Sequence, residues 1–178
     1  PWVVMAAGLV LGAFGFALLT RVDDANGLAL VVAGSVLFSV GLAPLTTLST
    51  DLMIGAAPPE RAGAASAVAE TTSEFGGALG IAVLGSIGAA AYRGHLADTM
   101  PAGVPPAAAE AARDTLGGAL AAAQGLPAQL GAALQDAATE AFTAGLHLVF
   151  AINAALALGI AVLVAFLLRG GQPGDGPD

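Results

Sequence analysis

The chain has 178 residues, 57% hydrophobic and only 10% charged, with a mean hydropathy of +0.84 and a formal net charge of −8. Soluble domains carry about 25% charged residues, so the polar surface that a water-soluble domain of this size needs is missing, and the composition is that of a membrane protein. Thirteen acids against five arginines and no lysine leave no basic patch for nucleic acid, and the lack of cysteine removes disulfides and thiol chemistry without fixing a compartment.

The chain opens Pro1-Trp2 with neither an initiator methionine nor a basic n-region. That start is not a signal peptide, and the beginning of the protein is expected elsewhere. Residues 2–20 carry no charge and match the ~20 residues that cross a hydrocarbon core. Within them Gly8, Gly12 and Gly15 mark close helix packing. Arg21, Asp23, Asp24 and Asn26 form a polar turn before a second uncharged span at 28–50, which Pro44 is expected to kink. Thr46 or Thr47 is expected to satisfy backbone groups freed by that proline. Asp51 closes the span; a solvated cap at the membrane surface is the favoured role, and a secondary site facing the interior is the other.

The stretch GAAPPERAG, 55–63, is a loop, because consecutive prolines cannot continue a helix. A third span follows at 62–91. From 93 to 143 the chain turns Ala-rich with scattered acids, and Pro101, Pro105, Pro106 and Pro127 break it. Two helices are predicted there, 106–123 and 128–142, with Leu116, Leu120, Leu130 and Leu134 on apolar stripes. They form an expected helical hairpin outside the membrane or lying on it, with a loosely ordered loop as the alternative. Residues 144–169 hold the last span, and the Gly/Pro tail 170–178 is predicted to be disordered and cytoplasmic.

The expected fold is therefore an all-α polytopic membrane protein with four transmembrane helices, since no strand alternation suggests a barrel. Trp2 and Tyr92 suit interface positions, and Asn153 suits an interhelical hydrogen bond and a secondary site. His147 has no second ligand in its span and His95 is expected in a loop, so neither a metal nor a cofactor is expected. No phosphate loop, nucleophile elbow or metal-ligand spacing is present, which argues against an enzyme.

The sharpest signal is AETTSEFGGALGIAVLGSIGA, 69–89, where Glu70 and Glu74 stand one helical turn apart at the head of an uncharged run. Alternating steps of four and three along that face give Gly63, Ala67, Glu70, Glu74, Gly77, Ile81, Leu84 and Gly88, mostly small or acidic. Gly76 and Gly80 add a GxxxG pair on the neighbouring face, so Gly76, Gly77 and Gly80 are the candidate helix-packing positions. Carboxyl groups withdrawn from water beside one another can exchange a proton near neutral pH, which is the chemistry of a proton or cation site. Alternatively the membrane segment begins at Gly76 and both acids are solvated first-turn residues. That segment is short for a span and would need thinning or snorkelling.

The run GLAPLTTLSTDLMIGAAPPERAGAASAVAETTSEFGGALGIAVLGSIGAAAYRGHL closely resembles the near-C-terminal region of the fourteen-helix drug:proton antiporters of the major facilitator superfamily, in the quaternary-ammonium and multidrug branch. The PPERAG loop, the acid-TTS-acid pair and FGGALGIAVLGSI carry the likeness, which extends from about Gly8 to Leu96. The last span fits by position only. The resemblance implies the last four of fourteen helices, part of the C-terminal half of that fold, with 93–143 external and the tail inside. It also implies that Glu70 and Glu74 are the proton- and cation-responsive pair of the penultimate helix. The arginines give no independent support for that orientation, because the positive-inside count is at best a tie.

The implied function is proton-coupled export of lipophilic or cationic drugs across a bacterial plasma membrane. The implied partners are such small molecules, protons, membrane lipid and the N-terminal helices of a longer parent chain, without which the fragment is expected to be inactive. A small four-helix membrane scaffold without transport activity is the reading from another class.

Overall fold

The computed structural model describes residues 2–22 and 27–169, and every regular element in them is helical. The expected polar turn at Asp23, Asp24 and Asn26, the tail 170–178 and the Trp2 side chain lie outside what is described. The helices are α1 (Trp2–Leu19), α2 (Gly27–Gly55), α3 (Ala62–Thr99), α4 (Pro106–Asp114), α5 (Leu116–Gln124) and α6 (Ala128–Arg169). A single 3-10 turn, Pro59–Arg61, joins α2 to α3. Three of the helical stretches, Gly27–Gly55, Pro59–Thr99 and Ala128–Leu167, are long and apolar enough to cross a membrane, and Val3–Leu19 is a shorter apolar helix. The chain is thus a multi-pass membrane protein.

The described residues divide into two compact units. The first holds residues 1–78 and 150–178, the second 79–149. In the first unit α1 and α2 pack antiparallel through glycine. A β-carbon built on Gly41 would lie 2.5 Å from both the Gly12 nitrogen and the Gly8 oxygen, and one on Gly15 would lie 2.6 Å from the Phe38 nitrogen. The expected close packing at Gly8, Gly12 and Gly15 is present, and its partners are Gly34, Phe38 and Gly41. Phe16 adds a ring contact to Phe38, with centroids 4.8 Å apart.

Helix α2 continues through Pro44. The missing proline N–H frees the carbonyl four residues back, at Val40. Both threonine hydroxyls donate instead to the Ala43 oxygen, Thr46 at 2.9 Å and Thr47 at 3.2 Å. They reinforce the turn at the proline rather than serving the freed group.

The second unit contains the Ala-rich segment, and here the helix boundaries differ from the expected ones. Helix α3 runs on to Thr99 rather than stopping near 91, and the residues expected to start a separate second hairpin helix at 128 are the first turns of α6. Charge marks where a chain meets water, but only Pro101 and Pro127 deprive the backbone of the donors a helix needs. The expected helix 106–123 is divided at Thr115, whose backbone is extended (φ −154°, ψ 156°) and whose hydroxyl accepts from the Gly118 nitrogen at 2.9 Å as the N-cap of α5. Helices α4 and α5 therefore meet at Thr115 and pack together at Gly118 against the Ala111 carbonyl.

The core of this unit is made of small residues, with Ala112, Ala119, Ala138 and Ala141 around Leu96 and Leu134. Of the striped leucines, Leu134 is fully buried and Leu116 packs against the core, whereas Leu120 is exposed. Tyr92 is 6% exposed, and its hydroxyl donates to the Ala112 oxygen at 2.7 Å. That bond ties α3 to the end of α4.

Gly41→Ala is expected to destabilise the chain by about 1–3 kcal/mol, because the new methyl meets backbone on α1 that cannot move aside. Gly94→Ala, on an exposed helical face with nothing within 4 Å, is the matched control and leaves the unfolding midpoint unchanged or raised. Tyr92→Phe leaves the Ala112 carbonyl without its partner, at a cost of about 1–3 kcal/mol. Amide exchange should quicken in α4 and α5 and stay unchanged in α1 and α2.

Candidate functional site

Helix α3 starts directly after the Pro58-Pro59 turn, which fixes its first residue and so the register of everything along it. Glu70 and Glu74 fall in its third and fourth turns, and both side chains are exposed. Ala69 beside them is buried, so this part of α3 packs on one side and shows its acids on another. Neither acid has an ion-pair partner among the described residues. Gly76 and Gly77 are exposed, Gly80 is half-buried, and a β-carbon on any of the three would meet nothing within 4 Å. Phe75 and Ile81 are 68% and 78% exposed. A face that alternates glycine, carboxylate and large apolar groups is therefore uncovered among the described residues.

The stripe changes character farther along. Gly88 would carry its β-carbon 3.1 Å from Val149, and one on Gly145 of α6 would lie 3.0 Å from the Gly88 oxygen. The far end of the seam, at Leu84 and Gly88, is closed by α6, while the near end, at Glu70, Glu74 and Gly77, is open. One helix face thus shows both what a small-residue seam does when covered and what it looks like when the covering element is not among the described residues.

Asp51 lies within the last turns of α2, not beyond its end, and is exposed. Asn153 is half-buried on α6. Among the described residues, no group of three His, Asp or Glu side chains is placed to hold a metal ion. A groove of about 440 Å³ in the first unit is lined by Val3, Val10, Leu158 and Val162 with alanines between, and none of the candidate residues reaches it.

The second unit holds a feature that sequence reasoning missed. A cavity of about 370 Å³ lies between α3, α6 and the α4–α5 corner, walled by Leu84, Tyr92, Phe142, Leu146 and Val149 and bordered by Asp114. Its floor is small: Gly85, Gly88, Ala89 and Gly145 leave the space. The signal was present as glycine on both long helices, but only contacts between residues distant in sequence turn it into a cavity. His95, expected in a loop, stands on α3 with its Nε2 3.9 Å from the Glu140 carboxylate.

No family model matches the chain, and no solved structure does. Among curated proteins, it is 36% identical over 95% of its length to the multidrug efflux pump LfrA of Mycolicibacterium smegmatis, covering 33% of that protein. It is 29% identical over 96% of its length to the tetracenomycin C resistance and export protein of Streptomyces glaucescens, covering 32%. It is 30% identical over 78% of its length to the methyl viologen resistance protein SmvA of Salmonella typhimurium, covering 28%. The chain spans about a third of the length of these relatives. Identity at this level along nearly the whole chain, on a set of long apolar helices, makes it similar to drug efflux and resistance proteins of the major facilitator type, which are transporters and not enzymes.

Proposed function

We propose that this chain is the C-terminal part of a fourteen-helix, proton-coupled exporter of lipophilic cationic drugs, with Glu70 and Glu74 as its proton- and cation-binding pair. The observation that carries this is the open face of α3: two unpaired carboxylates one turn apart, flanked by glycines that meet nothing within 4 Å. Acids on an apolar helix are costly against lipid, so a bundle interior or a water-filled pathway is where such a face is stable. The helices of the rest of the transporter would supply it. Helix α1 would be the fourth span of the segment, 93–143 would be external, and the protein would sit in a bacterial plasma membrane. Asp51 and Asn153 are secondary candidates on the neighbouring spans.

The mechanism is competition. Ionised carboxylates attract a cation that enters from the inner leaflet, and protonation from outside removes that attraction and releases it. Coupling follows only if proton and drug favour different states of the same pair, a differential interaction and not mere proximity. Transporters of this superfamily rock two halves against one another, so the 178-residue chain alone is expected not to transport.

In the full-length transporter, Glu70→Gln and Glu74→Gln are expected to lower efflux of a cationic dye by about tenfold or more, some 1.4 kcal/mol of lost coupling. Proton release on dye addition should vanish with it. Unchanged resistance and unchanged proton release in the double variant would refute the assignment. Gly77→Leu gives an independent check on what covers the face. Its β-carbon meets nothing within 4 Å among the described residues, yet the substitution is expected to abolish transport at full length by holding the covering helices apart.

A further inference from the structure

We propose that the cavity at the α4–α5 corner is a second ligand site, one that takes an amphipathic cation with its apolar body between α3 and α6 and its charged head on the Asp114 carboxylate. The site is independent of the Glu70 and Glu74 pair, neither of which lines it. Its volume, about 370 Å³, falls within the ~300–1,000 Å³ of small-molecule pockets.

The polar inventory of the walls points to a cation. The Tyr92 hydroxyl donates to the Ala112 oxygen, and the Thr115 hydroxyl oxygen accepts from the Gly118 nitrogen. The charged group that lines the cavity is the Asp114 carboxylate, exposed and without an ion-pair partner among the described residues. Arg113 stands next to it in sequence but does not line the cavity. Asp114 is also the last residue of the nine-residue helix α4, where the helix dipole is negative. The opposite dipole ends of α4 and α5 meet at Thr115 and offset one another, so the full charge of the Asp114 carboxylate decides the sign of the field over the apolar walls. That charge repels anions and attracts cations. A hydrophobic body carrying positive charge satisfies both surfaces. That chemistry is shared by soluble quaternary cations and by lipid amine headgroups.

The test uses thiol protection, since this chain contributes no cysteine of its own. Ala89→Cys places a thiol on the cavity floor of the full-length transporter, with any other cysteines removed, in phosphatidylglycerol nanodiscs. Tetraphenylphosphonium is expected to slow alkylation of that thiol, and the neutral triphenylphosphine oxide is not. Adding Asp114→Asn, which relieves an acid at a helix C-terminus and so should fold, is expected to raise the half-protecting concentration about fivefold. Equal protection by the neutral compound, equal protection in the Asn variant, or no protection at all would each overturn the proposal. Repetition in phosphatidylethanolamine separates the sources: Asp114-dependent protection without added probe assigns the head to a lipid amine, and protection only with probe assigns it to a soluble cation.

Discussion

Inside hydrocarbon no water is available to the peptide groups, so each helix must satisfy its own backbone, and the hydrophobic effect no longer draws one helix to another. Association then depends on how closely two backbones can approach, and side-chain size decides it. This chain uses that single variable repeatedly. Glycine faces glycine where α1 meets α2, with Gly41 set against Gly8 and Gly12, and again where Gly145 meets Gly88. Alanine performs the same task in the second unit, whose core is mostly methyl groups around two leucines and a tyrosine. The same rule gives meaning to glycines that touch nothing. Gly76 and Gly77 leave room for a backbone that the described residues do not provide.

An open small-residue face would, by itself, say only that something packs there. The acids narrow the choice. A lipid tail can cover Phe75 or Ile81 without cost, but it offers no partner for a carboxylate. Covering Glu70 and Glu74 therefore calls for polar groups, water or a cation, and a transport pathway supplies all three at once. The likeness to efflux proteins enters here as a constraint from a different direction: such proteins move a solute past a membrane interior, and the proposed role of the pair belongs to that setting.

Much of this was legible in sequence because it depends on local chemistry. Prolines 58, 59, 101, 105 and 127 set where backbones break, and the glycine spacing in the first span announced its close packing. The i, i+4 spacing of Glu70 and Glu74 placed them on one face before any coordinates. The misreadings share one cause. Charge and alanine content record the polarity of surroundings, whereas helix ends record missing donors and extended backbone, so α3 outran its apolar stretch and α6 began sixteen residues before 144. The tie made by Tyr92 was not legible because its partner, the Ala112 carbonyl, is a long-range acceptor that no local pattern announces. The cover over the acid pair was not legible for a further reason: none of the described residues supplies it.

The continuity of α3 and α6 also explains how the Ala-rich segment can be ordered at all. Nine-residue helices such as α4 and α5 fall below the ~12–15 residues at which an isolated helix is even marginal in water. Alanine buries too little apolar surface to make up the difference, whereas each buried leucine contributes about 1.5–3 kcal/mol. Leu96 on α3 and Leu134 on α6 supply those larger contributions from helices that are already formed by the spans they extend. The short helices then need only dock, through Thr115 as a cap and Tyr92 as a tie, on surfaces whose ordering entropy has been met elsewhere. Because the dock is made of small side chains, it fits closely at Gly118 yet leaves the corner at Asp114 unfilled. The cavity is thus a consequence of building an ordered cap from alanine and glycine on two long helices.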